Sequence, residues 1–378
     1  MSLACLAGLS YWSDQLACDL LGAGDVSPDT ASLTHTSMSL WTVILAGGVG
    51  SRFWPISTPA LPKQLLPLVT GQPMLRDAVD RLLPLVPGER MLILTNATLR
   101  PAIATMLPEV PEQNIICEPR PAGTAAALAW ASRIIESRDP DALMLSVHAD
   151  WAIGDPEGFR TALLRAANVA EANDVLVTVG VTPTRPDPGF GYIEPGERIG
   201  QVAYRVARFL EKPDRVRARE LIANGCLWNS GIFVWRAARF LQEVQTHCPE
   251  VSRADDQVTL EGFFGAVQSI SVDVGVLERS DRVYVVPGAF GWDDVGTWAA
   301  LRRVRPGDAA SNALHGDVIP VMASGNVVHA EGPSVVLYGV SDLVVVAVDG
   351  LTVVTTLEHA ADLKTLIDTL PARLTDRG

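Results

Sequence analysis

"VILAGGVGSRFWP" spans residues 43–55, an apolar strand-like run that breaks into Gly47, Gly48 and Gly50 and then presents Arg52, and "PKQLLPL" at 62–68 follows with Lys63. A strand that ends in glycines exposes bare backbone amides, which a phosphate or a base can approach closely. The guanidinium and ammonium that follow make the loop a candidate anion site. Outward from this loop, apolar runs at 42–47, 91–96, 114–118, 142–147 and 175–181 alternate with helical patterns around 73–84, 99–107, 124–138 and 156–173. Strand and helix taking turns predict an α/β fold built on a doubly wound, largely parallel sheet. Open sheets of this kind bind ligands beyond the carboxyl ends of their strands, so the glycine loop and "HAD" at 148–150 are expected to share one rim.

After residue 181 the pattern loosens into hairpin-like "GFGYIEPGE" (189–197), a strand in "YRVARFLEKP", a helix in "DRVRARELIANG" and the apolar run "LWNSGIFVW" (227–235). Together these are expected to form an insertion that walls off the second half of the cleft. Polarity rises and periodicity fails near 303–312, which suggests a linker. The short strand patterns beyond it predict a small β-rich domain over 310–378, closed by a helix carrying Leu363, Leu366, Ile367 and Leu370 at helical spacing. The large domain would then occupy 38–305. Residues 1–37 show no sustained period and are expected to be a leader, a tag or a loosely ordered extension.

A formal net charge of −13 over 378 residues argues against nucleic acid as a partner, because neutralising a phosphate backbone needs a basic face. The five cysteines form no CxxC pair and suggest neither a disulfide framework nor a structural zinc site. The six histidines show no metal-ligand spacing, and His148 is expected to be structural. No apolar run reaches the roughly 20 residues needed to span a bilayer, so no membrane partner and a cytoplasmic location are expected.

The glycine loop does not fit the common nucleotide motifs. A dinucleotide fingerprint needs a third glycine where Phe53 stands, and no Gly-Lys follows Gly47 or Gly48 at the spacing of a P-loop. What remains is a loop suited to a triphosphate.

"GGVGSRFWP" and "PKQLLPL", followed in order by "GFGYIEPG", "FLEKP" (209–213), "LWNSGIFVW", "SVDVGVLE" (271–278) and "FGWDDVGTW" (290–298), resemble the signature of the sugar-nucleotide pyrophosphorylases. The Pro-Lys-Gln form is similar to that of mannose-1-phosphate guanylyltransferases. The resemblance runs from about Met38 to the C terminus. It implies a Rossmann-like nucleotidyltransferase domain over 38–305 followed by a small β-helix-like C-terminal module. It further implies GTP and mannose 1-phosphate as substrates, Mg²⁺ as cofactor, a homodimer, and in-line attack on the α-phosphate without an enzyme nucleophile.

Carried residue by residue, the resemblance places Leu45, Ala46, Gly47, Gly48, Gly50 and Ser51, with Glu118 and Thr124, around the nucleotide. Arg52 would stabilise charge as pyrophosphate leaves, and Lys63 would bind phosphates. Asp150 and Asp294 would hold the metal. Gly191, Glu211, Lys212 and Asn229 would form the sugar-phosphate pocket. Trp228, Trp235, Trp292 and Trp298 are left unassigned between stacking on sugar or base and the core, where buried aromatics more often belong.

Two segments depart from the family pattern. His148 and Trp151 flank the metal aspartate where a proline and a histidine are usual, and "RPAGTAAA" (120–127) keeps Thr124 while losing an Arg-Asn pair. The rival expectations are another hexose 1-phosphate and nucleotide pair, or a regulatory subunit that binds a sugar nucleotide without making it. A longer relative's isomerase domain is not expected, so transferase activity alone is predicted.

Overall fold

A computed structural model describes residues 38–48 and 51–375. The leader expected over 1–37 and Gly50 of the glycine loop lie outside the described residues. A nine-stranded sheet organises the chain. Its strands are β1 (Leu40–Leu45), β2 (Met91–Thr95), β3 (Ile115–Cys117), β4 (Leu143–His148), β6 (Leu176–Val181), β7 (Tyr192–Ile199), β8 (Ala203–Leu210), β9 (Leu227–Arg236) and β10 (Val283–Gly288), in the spatial order β3-β2-β1-β4-β9-β6-β10-β8-β7. Two short strands, β5 (Ala152–Ile153) and β11 (Trp292–Asp293), pair separately.

Helices α1 (Met74–Leu82), α2 (Arg100–Met106), α3 (Gly123–Arg138), α4 (Pro156–Asn173) and α5 (Arg215–Ala223) fall close to the predicted patterns, and α6 (Ala237–His247) adds to them. Strand β1 shows why both faces must be covered. Successive side chains point to opposite faces, and here Leu40 and Ile44 enter a core with α1 and α4, while Trp41 and Val43 enter a second core with α3 and α6. Helix α3 presents Ala125, Ala126, Ala127, Ala129 and Ala131 to its neighbours, all buried, and these small side chains admit close approach to the sheet. Asp155 caps α4 by accepting the Gly158 N–H at 3.0 Å, with Pro156 at the first helical position.

The sheet is mixed rather than largely parallel. Strands β1 to β4 run parallel, but "LWNSGIFVW", expected in an insertion, forms the central strand β9, antiparallel to both β4 and β6. The cause is burial on both faces: Ile232, Phe233, Val234 and Trp235 are enclosed. A continuous apolar run records that enclosure and says nothing of strand direction. Strands β7 and β8 form the expected hairpin, and β7 also pairs with β9 through Tyr192 and Trp228.

Beyond residue 304 the chain does not run as a free linker. Arg305 is buried, its Nε donates to the Leu68 carbonyl at 2.5 Å, and Asp308 accepts from Ala310 N and Asn312 N, each at 2.9 Å. Strands β12 (Ala313–His315), β14 (Val327–Ala330) and β16 (Leu343–Val348) stack in parallel, β13 (Val318–Val321) pairs in parallel with β15 (Val335–Tyr338), and β17 (Leu351–Thr356) closes antiparallel on β16. Buried Asn312 accepts from Asn326 N and Asn326 Nδ2 at 3.0 and 2.9 Å, and Asn326 accepts from Leu343 N at 3.0 Å, a ladder that satisfies backbone groups at the turns between strands. Val327, Val344, Val346 and Leu363 pack with Phe53, Trp54 and Trp298, so the strand-rich region supports the segment just after the glycine loop.

Candidate active site

Register brings the rim together. Leu45 at the end of β1 lies opposite His148 at the end of β4, and Ala149 N donates to the Leu45 carbonyl at 3.0 Å. The glycine loop and Asp150 therefore face one cleft of about 300 Å³, lined by Leu45, Ala46, Gly47, Gly48, Glu118, Thr124 and Asp150 among others. Ser51 opens the single turn Ser51–Phe53 that follows the loop. Arg52 in that turn is exposed and has no partner among the described residues.

Gln64, quoted in "PKQ" but not singled out, fixes the loop. Its buried Nε2 donates to the Ala46 carbonyl at 2.8 Å and to the Gly48 carbonyl at 2.9 Å. No sequence signal marks it, because the amide gains this role only from the two carbonyls that folding sets beside it.

Lys63 is buried, and its ammonium donates to Asp150 Oδ2 at 2.9 Å and to the Asp294 backbone carbonyl at 2.6 Å. Asp294 Oδ1 accepts the Gly296 N–H at 3.1 Å, and burial pushes its carboxyl above the ordinary range against the pull of Lys63. Two residues far apart in sequence thus converge on one cation.

On the opposite wall, burial raises the Glu118 carboxyl to about 7. Its Oε1 would lie 3.8 Å from a Cβ at Gly47, so it faces the loop. "RPAGT" also enters the cleft. Gly123 has φ +80°, and a Cβ there would sit 2.2 Å from the Ile270 carbonyl oxygen, so glycine is required. Thr124 Oγ1 accepts the Val272 N–H at 2.9 Å.

The sugar-pocket candidates also meet. A Cβ on Gly191 would lie 3.1 Å from Glu211 Oε2 and 3.5 Å from the Asn229 Cβ, and Asn229 N donates to the Gly191 carbonyl at 2.9 Å. Glu211 and Lys212 pair with each other at 2.8 Å on the surface. Asp273 was not singled out from sequence. It accepts from Asn229 Nδ2 at 2.8 Å, and burial raises its carboxyl, with the Asn229 hydrogen bond opposing. It opens the turn Asp273–Leu277, a π-type turn of the kind often found at functional sites. Burial lowers the pKa of the His148 imidazole, which lines the cleft and packs at a tilt against Trp151 with ring centres 4.7 Å apart. All four tryptophans are buried in the core, and among them Trp228 and Trp292 pack with Phe190.

Among the described residues, one trio outside the cleft brings three metal-capable atoms within 4.8 Å, namely His315, His329 and Glu331. Arg305 Nη2 donates to His329 Nδ1 at 3.1 Å, so His329 Nε2 carries the proton that faces Glu331 Oε1 at 2.8 Å. Both ring nitrogens of His329 are thus engaged by protein groups.

Residues 41–311 match the model of the nucleotidyl transferase family. The chain belongs to that family. Over 354 residues this nucleotidyl transferase is 36% identical to a mannose-1-phosphate guanylyltransferase from Escherichia coli, covering 88% of this chain and 74% of the relative. A mannose-1-phosphate guanylyltransferase from Salmonella muenchen is 35% identical over 351 residues, covering 87% and 73%. Among solved structures, the crystal structure of mannose-1-phosphate geranyltransferase from Thermus thermophilus superposes with a TM-score of 0.81 at 34% identity, over 88% of this chain and 99% of that one. No helix among the described residues of this nucleotidyl transferase is long and apolar enough to cross a membrane.

Proposed function

We propose that the protein transfers the guanylyl group of GTP to mannose 1-phosphate, giving GDP-mannose and pyrophosphate. A phosphate oxygen of the sugar phosphate attacks the α-phosphorus, and the bond from that phosphorus to the pyrophosphate oxygen breaks in line, with no enzyme nucleophile. The observation that carries this reading is the meeting of Lys63, Asp150 and Asp294 beside the glycine loop, in a chain whose relatives bear that enzyme's name.

Charge neutralisation and positioning dominate such a reaction. Lys63 holds the phosphates and Arg52, exposed beside the loop, meets the charge that develops on pyrophosphate. The carboxylates of Asp150 and Asp294 are hard oxygen donors, and together they exceed the charge of the one lysine between them. That donor set fits Mg²⁺, which favours few carboxylates with phosphate oxygens and water. When bound, the ion neutralises phosphate charge and acts as a Lewis acid. Glu118 accepts from the donor edge of guanine, while Gly191, Glu211, Lys212 and Asn229 receive the sugar phosphate. Residues 38–305 carry the chemistry, and the β-helix-like coils of 310–378 support the loop, in a homodimer.

The test is pyrophosphate release with Mg²⁺, crossing mannose and glucose 1-phosphates against GTP, ATP, UTP and dTTP. Release strongest with mannose 1-phosphate and GTP supports the reading. Preference for another pair reassigns the substrate, and silence from folded protein that still binds nucleotide moves the assignment to a regulatory subunit.

A further inference from the structure

Asp293 adjoins the proposed metal ligand Asp294, yet its side chain is buried and takes no part in that site. It accepts from Arg303 Nε at 2.8 Å and Arg303 Nη2 at 3.1 Å, from Arg185 Nη2 at 3.2 Å, and from Val295 N at 2.9 Å. Val295 has φ +48°, a left-handed conformation that β-branched residues rarely adopt. The Asp293 hydrogen bond therefore holds the chain immediately after Asp294 in an unfavoured conformation, and surroundings must enforce such a conformation for it to persist.

Arg185 reaches the other way. Its Nε donates to Asp187 Oδ2 at 2.9 Å, and its guanidinium lies 5.3 Å from the Phe190 ring centre and 4.9 Å from that of Trp228. The Tyr192 hydroxyl bonds both the N–H and the carbonyl of Asp187 at 3.1 Å. Arg185 is thus fastened to the segment carrying Gly191 and packs on the residue next to Asn229. One guanidinium joins the segment of the sugar-pocket candidates to the carboxylate of Asp293, which in turn holds the Val295 N–H just after Asp294. A planar fork that bonds two carboxylates while stacking on rings is work a lysine cannot reproduce.

We propose that Arg185 and Asp293 are positioning residues that couple the two sites, so that a sugar phosphate in its pocket fixes Asp294 for the metal. This rests on the function proposed above. Coupling of this kind is reciprocal, and the metal must tighten sugar-phosphate binding by the same factor.

The test uses the full chain with Arg185→Ala, Arg185→Lys, Asp293→Asn and the double variant Arg185→Ala/Asp293→Asn. Pyrophosphate release is followed against mannose 1-phosphate, Mg²⁺ and GTP in turn. Each single change is expected to raise the half-saturating mannose 1-phosphate and Mg²⁺ together by about tenfold, and that for GTP by no more than about twofold. The double variant should be no worse than the worse single one, because residues in one network are not additive. Arg185→Lys should recover little. Independently of turnover, mannose 1-phosphate should tighten Mn²⁺ binding, read by electron paramagnetic resonance, in the wild type and not in Arg185→Ala.

Multiplying effects, equal shifts for all three ligands, or Mn²⁺ binding that still responds to the sugar phosphate would each overturn the coupling. Should Asp293→Asn fail to fold, Arg185→Ala and Arg185→Lys decide the question through the Mn²⁺ readout. A wild type silent with mannose 1-phosphate and GTP would instead overturn the functional reading, and the coupling with it.

Discussion

The Lys63 ammonium lies 2.9 Å from Asp150 Oδ2, joining the segment after the glycine loop to the carboxyl end of β4. Asp150 keeps 33% of its side chain exposed, and the buried Lys63 ammonium keeps the Asp294 carbonyl as a partner when Asp150 is removed. Asp150→Ala is therefore expected to leave the melting temperature near that of the wild type. Turnover should fall by about 10²–10³, the scale on which lost transition-state charge stabilisation is felt. Near wild-type turnover in a steady-state assay would remove Asp150 from the metal site.

Arg52 is exposed without a partner among the described residues. Arg52→Ala should change stability by no more than about 0.5 kcal/mol, as for other surface positions. Its kcat should drop with little change in the Michaelis constant for GTP. A change confined to binding would assign Arg52 to the ground state rather than to the departing pyrophosphate.

Glu118 supplies a pH dependence. Burial raises its carboxyl to about 7, well above the ordinary 4.5, so folding favours the protonated form. The associated stability is fully present below pH 4.5 and is lost as pH rises through about 7, at most on the order of 3 kcal/mol. Glu118→Gln should therefore melt higher than the wild type at pH 8 and match it near pH 4.5. In the wild type, affinity for GTP should fall as pH drops below 7, because a protonated carboxyl accepts less well from guanine. Melting curves that differ equally at both pH values would contradict this account.

Gly123→Ala places a methyl group 2.2 Å from the Ile270 carbonyl at φ +80°. The backbone must shift on both counts, which should cost more than about 1 kcal/mol. Because the same turn lines the cleft, the Michaelis constant for GTP should rise as well. An unchanged melting temperature would show that the 270–272 segment yields freely.

The Lys212 side chain is 64% exposed beside Glu211. Lys212→Ala should leave stability unchanged and raise the Michaelis constant for mannose 1-phosphate much more than that for GTP. Equal rises would assign Lys212 a structural role.

Much of this was legible locally. The continuous apolar runs and the helical patterns located β1, β2, β4, β6 and helices α1 to α4, because burial on both faces of a strand is written into an unbroken apolar run. The order of motifs from "GGVGSRFWP" to "FGWDDVGTW" indicated the family. Gln64 and Asp273 were not legible as site residues, since a glutamine or an aspartate gains its role only from the groups that folding sets beside it. The supposed linker at 303–312 was misleading for a similar reason. Arg305 is buried on the Leu68 carbonyl, and Asp308, though exposed, bonds to the backbone of its own turn, so polarity there does not mark a free segment.

The sequence by itself determined most of the strands and helices of the first half of the chain, where the chain breaks into a glycine loop, and which charged residues stand beside that break. Only the tertiary structure decided that β9 runs antiparallel through the middle of the sheet. It alone brought Lys63 between Asp150 and Asp294, and tied Arg185 to Asp293 across 108 positions of chain. The reason is physical: local periodicity records how much of a segment is buried, whereas direction and partnership are set by long-range packing and by the need to pair every buried charge.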